Sequence, residues 1–291
     1  MRFPNDKRFS GITTALITPF SDGKIDFESL EKIIEFQLKN KVTGFVVNGT
    51  TGESPTLKWV EVKELVSFVK KVSPKTHLIL GAGSNSTSKV TAMILSTADW
   101  PIDAIMSVVP YYNKPTQEGL FQHFQAAAKS TDKPFILYNV PSRTVASLSV
   151  ETIQRLAEIK NIIGIKEATG DLSIAANLRK NLPNDFLLLS GDDHSCVEFI
   201  RNGGDGVISV TSHICSNEIN ELVGNPENQS LKNKFKVAND IAFSISSPIP
   251  IKAMLFLKGL IKSPELRLPM VQCDKSQLQE IKLKMKSAEL L

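Results

Sequence analysis

The chain has 291 residues, of which 42% are hydrophobic and 22% charged, with a formal net charge of +4. This is ordinary globular usage, which excludes extended disorder, and the length suits one large core or a barrel with an appendage. Basic residues are scattered and no apolar run reaches membrane-spanning length, so nucleic-acid and membrane partners are not expected.

Residues 1–10 include Arg2, Asp6, Lys7 and Arg8 and lack an apolar core, so no signal peptide is expected. Short apolar runs then alternate with amphipathic stretches. The expected strands are Ile12–Ile17, Gly44–Asn48, His77–Gly81, Asp103–Val109, Phe135–Asn139, Ile162–Lys166, Phe186–Ser190 and Gly206–Val210. Between the first of these, Phe27–Lys39 puts Leu30, Ile33, Ile34 and Leu38 on one helical face, and Glu61–Val72 does the same with Val62, Leu65, Val66 and Val69. Parallel strands need helical crossovers, and eight evenly spaced βα units favour a closed (β/α)₈ TIM barrel over an open doubly wound sheet. Past Asn225 the strand pattern stops. Leu231–Ser246, Ile251–Leu260 and Lys275–Leu290 read as helices, so residues 1–224 are expected to form the barrel and 225–291 a C-terminal helical extension.

In such a barrel the chemistry collects at the C-terminal ends of the strands. Strand six ends in Lys166, surrounded by Ile162, Ile163 and Ile165. Burial disfavours the charged ammonium, and a neutral lysine can attack a carbonyl to form a Schiff base. Alternation would place Gly164 beneath the amine, leaving room for a small substrate, and turn Glu167 away as a structural partner. Strand two is followed by Gly49-Thr50-Thr51-Gly52-Glu53-Ser54, whose hydroxyls and backbone N–H groups suit a carboxylate. Strand four ends in Tyr111-Tyr112 between prolines. Strand five ends in Tyr138, able to transfer protons, and then Arg143, able to grip a carboxylate with two hydrogen bonds. All three tyrosines of the chain lie at these ends. Ser190-Gly191-Asp192-Asp193-His194 follows strand seven, where an Asp more often caps a helix than binds metal. Gly81-Ala82-Gly83 lacks dinucleotide-binding spacing, so neither metal nor cofactor is expected. His123 reads as filler. Cys196, Cys215 and Cys273, odd in number and without ligand spacing, suggest a reduced, cytoplasmic setting.

Together, Gly49–Ser54, Pro110–Pro115, Tyr138–Thr144, Gly164–Gly170, Ser190–Asp193 and Gly206–Thr211 resemble the dihydrodipicolinate synthase family, and the similarity runs from Gly11 to Leu266–Met270. The wider family includes N-acetylneuraminate lyase and 2-keto-3-deoxy-sugar-acid aldolases, so a sugar-acid aldolase is the alternative. The paired threonines, paired tyrosines and Lys166-Glu-Ala-Thr-Gly resemble the synthase branch more. The resemblance implies a lyase that joins pyruvate to L-aspartate 4-semialdehyde, giving 4-hydroxy-2,3,4,5-tetrahydrodipicolinate on the route to diaminopimelate and lysine. It assigns the imine to Lys166 and a proton relay to Tyr138, Thr50 and Tyr112, the last reaching in from a neighbouring subunit of a homotetramer made of two dimers. Thr51 would help hold the pyruvate carboxylate, Arg143 the aldehyde's carboxylate, and Gly191 and Ile208 would shape the pocket. Val145 departs from the glycine that many synthases carry there. In lysine-regulated relatives a glutamate receives the effector's ammonium where this chain has Lys89. Pro55 and Val62 also stand where such enzymes offer polar contacts, so feedback inhibition is expected to be weak or absent.

Overall fold

The computed structural model describes residues 7–291; the first six, on which part of the signal-peptide reading rests, lie outside the described residues. The strands β1 (Gly11–Ala15), β2 (Gly44–Val47), β3 (His77–Gly81), β4 (Ala104–Val108), β5 (Phe135–Asn139), β6 (Ile162–Glu167), β7 (Leu187–Ser190) and β8 (Gly206–Ser209) follow chain order around a closed barrel. Crossover helices separate them: α1 (Phe27–Lys39), α2 (Trp59–Val72), α3 (Thr87–Leu95), α4 (Gln117–Lys129), the short α5 (Pro141–Thr144), α6 (Val150–Ala157), α7 (Leu172–Asn181) and α8 (Cys196–Arg201). After β8 come α9 (Ser212–Gly224), α10 (Gln229–Ala242), α11 (Ile249–Leu257) and α12 (Lys275–Ser287), all helical. The expected (β/α)₈ barrel with C-terminal helices is what the chain forms.

Two compact units share the chain, one of residues 7–11 with His77–Ile208, the other of Ile12–Thr76 with Ser209–Leu291. In the first, β4 to β7 pair in parallel register and nearly every residue on them is buried, as continuous β-branched and leucine runs demand. Asp205, just before β8, accepts hydrogen bonds from Arg179 Nη2 at 2.6 Å and Leu188 N at 2.8 Å, which makes the glycine-rich turn there structural.

In the second unit, helix α1 begins at Asp26, whose carboxylate caps Ser29 N at 3.1 Å. Its buried face departs from the simple apolar pattern at Ser29 and Gln37, both fully buried, while Leu38 is 37% exposed. Gln37 accepts from Thr14 Oγ1 at 2.8 Å and donates to His213 O at 2.9 Å, so both ends of its amide are satisfied. Hydrophobicity alone could not reveal that pairing.

Candidate active site

Strands β5 and β6 set Tyr138 opposite Lys166 and Asn139 opposite Glu167. Side chains alternate along a strand, so the first pair projects to one face and the second to the other. Lys166 Nζ lies 4.3 Å from the centre of the Tyr138 ring. Both residues are buried, and the Lys166 ammonium makes no hydrogen bond or ion pair with any described residue. The ring's electron-rich face is a weak partner compared with a carboxylate, so the amine stays available for chemistry.

Gly191, just past β7, donates its N–H to Glu167 O at 2.6 Å. A Cβ there would fall 2.7 Å from Ala168 Cβ and 2.8 Å from Lys166 Cε, so the bare backbone makes room for the lysine stem. Gly164 serves a different purpose from the expected one. A Cβ on it would meet Leu187 Cβ and O, each at 2.6 Å, so the neighbouring strand fills that space and substrate does not. Ile208 on β8 is 1% exposed.

Glu167 faces away from Lys166, as alternation predicts, and is 3% exposed. Its Oε2 accepts from Asn139 Nδ2 at 2.9 Å and its Oε1 from Thr169 N at 2.8 Å. Burial pushes this carboxyl above the usual carboxylate range, against those hydrogen bonds.

Arg143 rides on α5, is exposed, and donates its backbone N–H to Val140 O at 2.9 Å, while its guanidinium makes no hydrogen bond or ion pair with any described residue. The helix ends at Val145, whose backbone is left-handed at φ 60°. Tyr111 is 41% exposed, whereas Tyr112 is 85% exposed and also left-handed, at φ 78°. Asn113 Nδ2 holds this loop to Asn85 O at 2.9 Å. The acidic pair after β7 is partly committed elsewhere: Asp192 Oδ2 accepts from Ser195 N at 2.9 Å and Ser195 Oγ at 2.6 Å. Among the described residues no cluster of three or more His, Cys, Asp or Glu side chains could hold a metal. His123, expected as filler, is buried with Nδ1 2.9 Å from Thr87 Oγ1, and burial lowers its pKa to about 4.

The second unit carries the loop after β2. Thr50 is exposed and Thr51 buried; neither hydroxyl nor backbone N–H has a partner among the described residues. Two free N–H groups beside two free hydroxyls match what a carboxylate accepts. The loop is pinned from below. Thr18 Oγ1 donates to Gly52 O at 2.7 Å, and Glu53, left-handed at φ 59°, sends its carboxylate to the fully buried Lys252 Nζ and to Arg267 N at 3.0 Å. Lys252 also donates to Glu265 O at 2.8 Å and lies 4.3 Å from the Phe20 ring centre. Its pKa is lowered to about 8, chiefly by burial. Sequence reading missed this anchor. The available signals were an acid in a turn otherwise made of glycines and hydroxyls, and a lone lysine inside the apolar run Ile249–Leu257. In the same unit Val62 is 1% exposed on the inner face of α2, so it packs and offers no contact to an effector.

The model of the dihydrodipicolinate synthetase family matches residues 8–288. The chain belongs to that family. It is 44% identical to the 4-hydroxy-tetrahydrodipicolinate synthase of Bdellovibrio bacteriovorus, over 98% of this chain and 100% of the relative. Among solved structures, a protein described as the first monomeric dihydrodipicolinate synthase variant superposes with a TM-score of 0.93 at 37% identity, covering 98% of each chain. The chloride-inhibited dihydrodipicolinate synthase of Acinetobacter baumannii, solved with pyruvate, superposes with a TM-score of 0.91 at 38% identity, covering 97% of this chain and 99% of that one. Membership at this identity over nearly the whole length makes the chain an enzyme of the lyase class.

Proposed function

We propose that this dihydrodipicolinate synthase family member condenses pyruvate with L-aspartate 4-semialdehyde to 4-hydroxy-2,3,4,5-tetrahydrodipicolinate, in lysine and diaminopimelate biosynthesis. The observation that carries the reading is Lys166: a buried amine 4.3 Å from the Tyr138 ring centre, with no carboxylate partner among the described residues and a stem accommodated by Gly191.

The Lys166 amine adds to the pyruvate ketone and water leaves, giving an imine. Protonated, the imine withdraws electrons, the methyl group loses a proton, and the resulting enamine attacks the aldehyde carbon. The aldehyde oxygen takes up a proton. The amino group of the second substrate then attacks the imine carbon, closes the ring and releases Lys166. Tyr138, Thr50 and Tyr112 pass the protons, and Thr50 and Thr51 receive the pyruvate carboxylate. Arg143 receives the second carboxylate, while Gly191 and Ile208 bound the pocket. No metal or cofactor has a role in this scheme.

Tyr112 is 85% exposed, as a side chain that enters a neighbour's site would be, and the homotetramer of two dimers is what the family resemblance implies. No helix among the described residues is long and apolar enough to cross a membrane. The barrel, residues 1–224, carries the chemistry, and Lys252 and Arg267 make the segment 225–291 a support for the Thr50–Thr51 loop.

Borohydride added with pyruvate should trap an adduct on Lys166, read by mass spectrometry of the digest. An adduct on another lysine, or none, refutes the Schiff-base assignment. Assays with aspartate semialdehyde and with N-acetylmannosamine separate the synthase from a sugar-acid aldolase.

A further inference from the structure

Each residue of the Tyr138–Lys166 pair is followed by a polar residue turned to the other face of the sheet, and those two are also register partners. Asn139 and Glu167 are 2% and 3% exposed, and they form the first link of a directed hydrogen-bond chain. Thr169 N–H and Asn139 Nδ2 occupy the two carboxylate oxygens of Glu167. With its amide nitrogen committed to Glu167, Asn139 must turn its oxygen the other way. There it accepts Leu148 N at 3.1 Å, and the Ser147 hydroxyl bridges the amide, with Oγ 3.3 Å from Asn139 Oδ1 and 3.2 Å from Asn139 Nδ2. Ser147 O in turn accepts Gln117 Nε2 at 2.7 Å, while Gln117 Oε1 accepts Ser149 N at 3.0 Å and Thr152 Oγ1 at 2.7 Å. Gln117 is the first residue of α4, the helix that follows the Tyr111–Tyr112 loop.

The segment fixed by this chain is the far end of the loop that bears Arg143. Its near end is fixed by β5 itself, ending at Asn139. Between these anchors the loop turns through α5 and the left-handed Val145, and the Arg143 side chain has no partner among the described residues. The guanidinium is therefore carried by its backbone, which Thr144 Oγ1 braces from within through Val140 O at 3.1 Å and Ala146 O at 2.7 Å and which Asn139 and Glu167 fix at the loop's far end. The direction of the bonds matters as much as their number. Both oxygens of residue 167 face donors, so glutamine, with one oxygen and one NH₂, must leave one donor facing another. Turning the Asn139 amide over to compensate would set its NH₂ against Leu148 N–H.

We propose that Glu167, acting through Asn139, is a positioning residue that holds Arg143 where it meets the carboxylate of the aldehyde substrate. This rests on the reading of Arg143 given above. The Asn139–Glu167 pair thus selects for a second substrate that carries a carboxylate, and leaves the pyruvate half-reaction alone.

The test uses the full-length enzyme with pyruvate and aspartate semialdehyde, comparing Glu167→Gln, Ser147→Ala, Arg143→Ala and the Arg143→Ala/Glu167→Gln double variant. Glu167→Gln should raise KM for the aldehyde by about tenfold while pyruvate KM and the rate of borohydride trapping at Lys166 stay within about twofold, the pattern of lost positioning rather than lost chemistry. Ser147→Ala, on a half-buried residue, should raise the aldehyde KM by about two- to threefold, as expected for one neutral hydrogen bond removed. In the double variant Glu167→Gln should add nothing to Arg143→Ala, because both act through one guanidinium. If Arg143→Ala raises the aldehyde KM and Glu167→Gln does not, the proposal fails and the role of Arg143 stands. If Arg143→Ala leaves that KM unchanged, the role of Arg143 fails first. Should Glu167→Gln lose pyruvate trapping through misfolding, Ser147→Ala decides, and an unchanged aldehyde KM in that variant overturns the proposal.

Discussion

Lys166 Nζ stands 4.3 Å from the centre of the Tyr138 ring, on neighbouring strands whose register makes the two residues direct partners. Two β-strands place this amine, and one glycine frees its path: at Gly191 a methyl group would sit 2.8 Å from Lys166 Cε. Gly191→Ala is therefore expected to lower turnover by about 10²-fold through misplacement of the amine, and also to lower Tm, because the new methyl would stand 2.7 Å from the backbone-fixed Ala168 Cβ. The same change at Gly224, where a Cβ meets nothing within 4 Å, serves as control. Wild-type turnover in Gly191→Ala would show that the lysine stem is not confined there.

Tyr112→Phe removes only a hydroxyl from a ring that is 85% exposed, so the fold of the chain should be indifferent to it. Turnover should nevertheless fall by about 10²–10⁴-fold if that hydroxyl relays a proton. Unfolding Tyr112→Phe together with Lys166→Ala and refolding the mixture should restore activity above the sum of the two variants, because a mixed dimer can carry one intact site. Activity no greater than that sum would mean that each site is complete within one chain.

Much of this was legible beforehand because barrel strands are buried on both faces and read as unbroken apolar runs; β3 and β5 fall where those runs lie. Lys166 stood out as an amine where the pattern wants isoleucine. What stayed hidden depends on partners distant in sequence. Gln37 belongs inside because Thr14 and His213 receive it, and Glu53 because Lys252, 199 positions further on, neutralises it. Gly164 was misread because a glycine signals close approach without saying whether a substrate or a neighbouring strand approaches.

Val145 is a β-branched residue at φ 60°, 65% exposed, with its N–H donated to Pro141 O at 2.9 Å. Such a conformation costs roughly 1–3 kcal/mol for a branched side chain, while glycine there gives back roughly 0.5–1 kcal/mol through its freer unfolded chain. Val145→Gly should stabilise the protein by about 1 kcal/mol, raising Tm by about 2–4 °C in thermal unfolding. A lowered Tm would mean that the valine side chain gains more from its surroundings than its backbone loses.

The buried Glu53–Lys252 pair underlies the Thr50–Thr51 loop. Lys252→Met should cost about 3–5 kcal/mol in urea unfolding, because it strands the Glu53 carboxylate in the interior. Glu53→Gln added to it should recover part of that loss. The pH dependence has a definite sign: with the folded pKa lowered from 10.5 to about 8, the unfolded chain binds more protons between those values. Wild-type stability should therefore gain a rising contribution from this group from about pH 8 to pH 10.5, absent in Lys252→Met. Equal pH profiles for the two proteins would refute the assignment.

Lys89 is exposed in the first turn of α3, a turn with no acidic residue. A helix N-terminus carries partial positive charge, so this position disfavours a cation on two counts: its own lysine and the helix dipole behind it. An effector ammonium about 4 Å from Lys89 would be repelled by roughly 4 kcal/mol at an effective dielectric of about 20, and screening lessens that without reversing it. Just before this helix, Asn85 O accepts from Asn113 Nδ2 at 2.9 Å, which ties the Tyr111–Tyr112 loop to it. Millimolar L-lysine should therefore leave activity largely unchanged at sub-saturating pyruvate. Lys89→Glu reverses the charge and also suits the helix end, so it should lose no stability and should gain lysine sensitivity. Cooperative inhibition of the wild type at sub-millimolar lysine would show that the ammonium is received elsewhere.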